Sequence, residues 1–119
     1  MRIAVSAKGA DLDSPVDERF GRARGFMLVD GETWASEHIP NTRNLEAAQG
    51  AGIQAARLVA GKGAEVVVTG HVGPKAFRTL TAAGIKVVAG ASGTVREAVE
   101  AFVSGKLRGA ESADVESHW

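Results

Sequence analysis

The chain contains no cysteine in 119 residues, which excludes ligation of a metal by protein thiolates and any disulfide framework. It carries no net charge: 14 Lys and Arg balance 14 Asp and Glu. No global field therefore draws it toward nucleic acid or a membrane surface, and any electrostatic function must be local. No apolar run approaches the roughly 18 residues of a membrane span, and the apolar start Met1 to Ser6 is too short for a signal peptide. A cytoplasmic protein is expected, and the absence of thiols is compatible with a reducing compartment. Internal repeats and low-complexity tracts are absent. So is a Gly-x-x-x-x-Gly-Lys-Ser/Thr loop: Gly61-Lys62-Gly63 precedes a strand instead of a helix, which argues against a nucleoside triphosphatase.

What is present reads as one α/β domain over residues 1–105, followed by a loosely ordered tail over 106–119 ending in Ser117-His118-Trp119. Ile3 to Ser6 is a short apolar strand, and the long polar stretch Ala7 to Arg24 is unusual enough in so small a domain to be functional. Phe26 to Asp30 and Thr33 to Ile39 read as antiparallel strands joined at Asp30-Gly31, a dipeptide favoured where a tight hairpin needs positive φ. Leu45 to Ala60 carries Leu45, Ala48, Gly52, Ala55, Ala56 and Val59 at helical spacing, with Gly61 and Gly63 as stops. Glu65 to Thr69 and Ile85 to Ala89 are buried strands. Pro74 opens a helix with Phe77 and Leu80 on one face, and Thr94 with Glu97 forms a capping box for a last helix that ends at Gly105. The order is β-β-β-α-β-α-β-α.

Right-handed crossovers place the fourth and fifth strands beside the first, with the hairpin on its other side, giving a mixed sheet in the order 3-2-1-4-5. Ala7 to Arg24, Pro40 to Glu46, Gly70 to Pro74 and Gly90 to Thr94 then emerge at one edge, and the crevice between strands one and four is the expected site. Arg19, Arg22 and Arg24 bring donors from the first loop, Asn41 and Asn44 bring amides at the first helix, and His71, Gly73 and Lys75 lie at the second helix start. Gly70 and Gly73 would allow backbone N–H groups to approach a ligand. Plainer readings stand beside these. Asp17 and Glu18 are ready partners for Arg19 and Arg22, His71 can be a satisfied turn histidine, and Gly90 to Thr94 an ordinary turn and cap. His38 is structural or exposed, Trp34 and Phe77 pack, and His118-Trp119 frays.

Asp17-x-Arg19-Phe20-Gly21-Arg22, Gly50-Ala51-Gly52-Ile53-x-Ala55-Ala56 and Thr69-Gly70-His71-Val72-Gly73-Pro74-Lys75-Ala76-Phe77 before Ala83-Gly84-Ile85, in that order, resemble the dinitrogenase iron-molybdenum cofactor biosynthesis family. The resemblance spans about residues 1 to 105. It implies a ribonuclease H-like three-layer α/β fold with three helices, and a non-enzymatic carrier of an anionic metal–sulfur cluster. The cluster would be a molybdenum-copper sulfide, as in the orange-protein branch of the family, or another molybdenum or iron–sulfur precursor. The family's binding positions map onto Arg19, Gly21, Arg22, His71, Gly73 and Pro74, with His71 as the metal contact; Arg24, Asn44 and Lys75 are added from the expected geometry. Such a cluster brings its own sulfides, in keeping with a chain that has no cysteine. The implied partners are the cluster and an acceptor or assembly protein, with neither nucleic acid nor membrane.

Two other classes compete with the carrier. One is a small module sensing an anion or nucleotide at the same crevice. The other is a ribonuclease H-like nuclease, which needs carboxylates converging on two metal ions at the sheet. The first strand ends in Ser6 and the fourth in Thr69, and Asp11, Asp13, Asp17 and Glu18 all fall on one loop, so the nuclease is the weakest of the three.

Overall fold

Alternation along the first strand sends Ile3, Val5 and Ala7 to one side of a sheet and Ala4 and Ser6 to the other, and all five are buried, so both faces of this strand must be covered. The computed structural model describes residues 1–41, 50–107 and 109. Its strands are β1 (Arg2–Ala7), β2 (Gly25–Asp30), β3 (Ser36–Pro40), β4 (Val66–Val68) and β5 (Lys86–Val88). They form one five-stranded sheet in the order β3-β2-β1-β4-β5. β1 is antiparallel to β2 and parallel to β4, with Val5 opposite Val68, and β5 runs parallel to β4. The α/β class and the strand order expected from right-handed crossovers both hold.

Three described helices cover the sheet: α1 (Ala51–Gly61), α2 (Pro74–Ala82) and α3 (Val95–Val103). The small residues of α1 let it approach α2 closely, since a Cβ on Gly52 would stand 3.1 Å from that of Ala76. Ala55, Ala56 and Val59 of α1 join Ala76 and Leu80 of α2 over one face of the sheet, and Phe77 packs against this cluster partly buried. Phe20, from the long loop, is driven fully into the same cluster beside Phe26, ring centroids 5.2 Å apart. The other face packs Val95, Ala98 and Val99 of α3 onto Ile3, Val5, Val66 and Val68. α3 starts with the expected capping box: the Glu97 N–H donates to Thr94 Oγ1 at 3.1 Å and the Thr94 N–H to Glu97 Oε1 at 3.0 Å.

The hairpin differs from its expectation. Gly31 does not take positive φ; Trp34 does, at 64°. The connection is longer because the Asp30 carboxylate organises it, accepting from the Glu32 N–H at 2.8 Å and the Thr33 N–H at 3.1 Å. These bonds hold its carboxyl below the ordinary value of 3.8, the Glu32 N–H first and the Thr33 N–H second. β3 consequently begins at Ser36 and not at Thr33. The helix expected over Leu45 to Ala60 starts in the described residues only at Ala51, because Gly50 before it takes a left-handed φ of 76° and cannot continue a helix. Residues 45–49 of that expectation, Asn44 ahead of it, and the tail beyond Leu107 apart from Gly109 lie outside the described residues. Among the described residues no helix is long and apolar enough to cross a membrane.

Candidate functional site

The strand directions put the ends of β1, β3, β4 and β5 and the start of β2 at one edge of the sheet. The long loop after β1 crosses that edge as two zipped segments. Its first half runs along α3: the Val16 N–H donates to the Gly93 carbonyl at 2.9 Å, the Val95 N–H to Ser14 at 2.9 Å and the Arg96 N–H to Leu12 at 2.9 Å. With the Glu97 N–H already given to Thr94, the start of α3 is spent on the protein itself, so Gly90 to Thr94 follow the plainer reading of a turn and cap. An ion pair between Arg96 and Asp13 at 3.3 Å strengthens the same seam.

The second half of the loop lies over the junction of β1 and β4. The Asp17 N–H donates to the Ser6 carbonyl at 2.8 Å, the His71 N–H to the Glu18 carbonyl at 2.7 Å and the Phe20 N–H to the His71 carbonyl at 3.2 Å. Arg19 and His71 are thus paired as in a parallel sheet, in the crevice where connections leave β1 and β4 in opposite directions. Asp17 Oδ1 also accepts from the Arg19 N–H at 3.2 Å, turning the chain at that point. Buried Phe20 then anchors the segment from beneath.

The proposed site residues divide by environment. Arg19, Arg24 and Lys75 are exposed, Arg22, His71 and Pro74 are half-buried, and Gly21 and Gly73 are buried. Pro74 occupies the first turn of α2 after Gly73, which supplies no side-chain cap, and this helix start lies beside the Arg19–His71 pair. Gly21 lies against α1: a Cβ there would stand 2.9 Å from Gly52 Cα. Gly70 likewise gives room to protein, since its Cβ would stand 2.8 Å from the Glu18 carbonyl oxygen. Asn41, expected to offer its amide at the edge, is buried and donates it to the Ala23 carbonyl at 2.8 Å. Asn44 lies outside the described residues.

Two contributors escaped the sequence reading except as the absence of carboxylates. Ser6 and Thr69, both fully buried, stand with their hydroxyl oxygens 2.7 Å apart where a two-metal site would need acids. Hydroxyl residues closing otherwise apolar, inward-facing strands were the available signal. Among the described residues no group of three or more His, Asp or Glu could hold a metal ion.

The model of the dinitrogenase iron-molybdenum cofactor family matches residues 1–105. The orange protein of Desulfovibrio gigas, solved in its apo form, superposes with a TM-score of 0.94 at 49% identity over 96% of each chain. A proposed NifB protein from Thermotoga, solved by NMR, superposes with a TM-score of 0.82 at 37% identity over 97% of each chain. The uncharacterized protein MJ0580 of Methanocaldococcus jannaschii is 33% identical over 115 residues, 90% of this chain and 97% of its own. By the motifs, the sheet and these matches, the chain belongs to the dinitrogenase iron-molybdenum cofactor family.

Proposed function

We propose that this protein is a non-enzymatic carrier of a preassembled anionic metal–sulfur cluster, a molybdenum-copper sulfide in preference to another molybdenum or iron–sulfur precursor, held at the crevice between β1 and β4. The observation that carries this reading is the backbone pairing of Arg19 with His71. It joins a loop containing three arginines to a histidine next to a helix start whose N-cap glycine offers no side-chain cap. Guanidinium groups match a compact, sulfide-rich anion through several N–H donors at once, and a helix start favours negative charge. Arg19, Arg22 and Arg24 supply charge, Gly73, Pro74 and Lys75 the helix start, Asn44 an amide, and His71 a nitrogen that bonds a sulfide or metal of the cargo. Gly21 supports the loop through its contact with α1. The cargo brings its own sulfur, which suits a polypeptide without cysteine. Delivery to an acceptor or assembly protein completes the role.

Titration of the protein with tetrathiomolybdate and copper tests the reading. The expected result is stoichiometric uptake with a sulfur-to-metal charge-transfer band. Charge-assisted contacts are worth about 1.5–3 kcal/mol each, so changing Arg19 and Arg22 together to Ala should weaken uptake by at least about a hundredfold. Phosphate or nucleotide binding without thiometalate uptake would replace the carrier by a sensor, and metal-dependent cleavage of nucleic acid by a nuclease.

A further inference from the structure

The geometry points to Ser6 and Thr69 as positioning residues that clamp the Arg19 segment over His71, through a two-hydroxyl relay ending on the Asp17 carbonyl. The direction of the relay follows from its atoms. Ser6 Oγ has one hydrogen, and it lies 2.7 Å from the Asp17 carbonyl oxygen, which can only accept. The Ser6 proton is committed there. The Thr69 hydroxyl, 2.7 Å from Ser6 Oγ, is therefore the donor of the pair.

Both side chains are fully buried, Ser6 near the end of β1 and Thr69 just past the end of the parallel β4, one position beyond the Val5–Val68 partners. Nothing about sheet packing requires oxygen here, because valine would fill the Thr69 position with the same shape and a hydroxyl in an apolar core is a cost unless it is bonded. What the oxygens accomplish is local. Asp17 is held twice by Ser6, through its N–H at 2.8 Å and its carbonyl at 2.7 Å. The next residues, Glu18 and Phe20, bond to His71 on the β4 side. The relay thus ties the ends of β1 and β4 to the same stretch, Asp17 to Phe20, and sets where the Arg19 backbone crosses the crevice. This inference rests on the carrier reading for its binding consequence and stands apart from it for its structural one.

The test pairs variants that separate the hydrogen bond from packing: Thr69→Val keeps shape and loses the donor, Thr69→Ser keeps the donor and loses a methyl, and Ser6→Ala removes both bonds of the Ser6 hydroxyl while keeping the backbone bond to Asp17. Hydrogen exchange is read at the Phe20 and His71 amides, with the Ala4, Val5 and Val67 amides as sheet references. One hydrogen bond is worth about 1 kcal/mol, so exchange at Phe20 and His71 should accelerate about fivefold in Thr69→Val and more in Ser6→Ala, with the sheet amides unchanged and Thr69→Ser near wild type. Tetrathiomolybdate and copper affinity should fall in the same order. Equal acceleration at the sheet amides, or a larger effect from Thr69→Ser than from Thr69→Val, would make the pair ordinary packing and overturn the inference. Local acceleration with no thiometalate uptake even by wild type would leave the clamp in place and remove the carrier.

Discussion

Replacing Gly70 by Ala should loosen the whole crevice from a single methyl group. The new Cβ would sit 2.8 Å from the Glu18 carbonyl oxygen and 2.9 Å from Glu18 Cα, both backbone atoms. Ordinary carbon contacts begin at about 3.5 Å, so the loop must retreat by more than about half an ångström. It has little freedom to do so, because Asp17 is bonded to Ser6 on one side and Phe20 is fully buried on the other. Overpacking of this kind costs about 1–3 kcal/mol, and stretching the His71 to Glu18 bond, 2.7 Å in the intact protein, adds up to about 1 kcal/mol. A loss of about 1–4 kcal/mol lowers the melting temperature of a chain this size by roughly 4–20 °C. Calorimetry and urea unfolding measure it, beside two controls. Gly61→Ala, at a helix end with open space and no positive φ, should be neutral or stabilising by up to about 1 kcal/mol. Gly90→Ala has open space but φ of +85°, and should cost only the left-handed strain of about 1–2 kcal/mol. If Gly70→Ala unfolds within about 0.5 kcal/mol of wild type, the backbone contact between Gly70 and Glu18 does not hold the loop as argued.

Thr94→Ala removes a capping box and should cost about 1 kcal/mol in urea unfolding, with faster exchange confined to the first turn of α3. The Asp30 carboxyl titrates lower in the folded chain than in the unfolded one, so its stabilising contribution is complete above the unfolded value and is lost as pH falls through the folded one. Asp30→Asn should therefore flatten the decline of stability with acid below about pH 4, and an unchanged slope would remove the hairpin carboxylate from that decline. Arg19→Ala with Arg22→Ala should remove most of the thiometalate band at about ten times the concentration that half-saturates wild type, while far-ultraviolet circular dichroism stays unchanged.

Local signals in the chain were sufficient for the elements and their order. Apolar runs of valine specify the central strands, Pro74 and the Thr94–Glu97 box mark helix starts, and the chirality of crossovers leaves one simple strand order. These are short-range steric and hydrogen-bond preferences, so they can be read residue by residue. The Asp30-Gly31 turn misled because a side-chain carboxylate, not glycine, shapes that connection. The motifs also sufficed for the family and for naming Arg19 and His71 together. Only the tertiary structure decided what each group at the edge is used for. It spends the start of α3 on Leu12 and Ser14, turns Asn41 inward to Ala23, gives the space at Gly70 to Glu18, and joins Ser6 to Thr69 across 63 positions of sequence. Donors and acceptors choose partners by distance in the folded chain, and a sequence states which groups exist long before it states which of them meet.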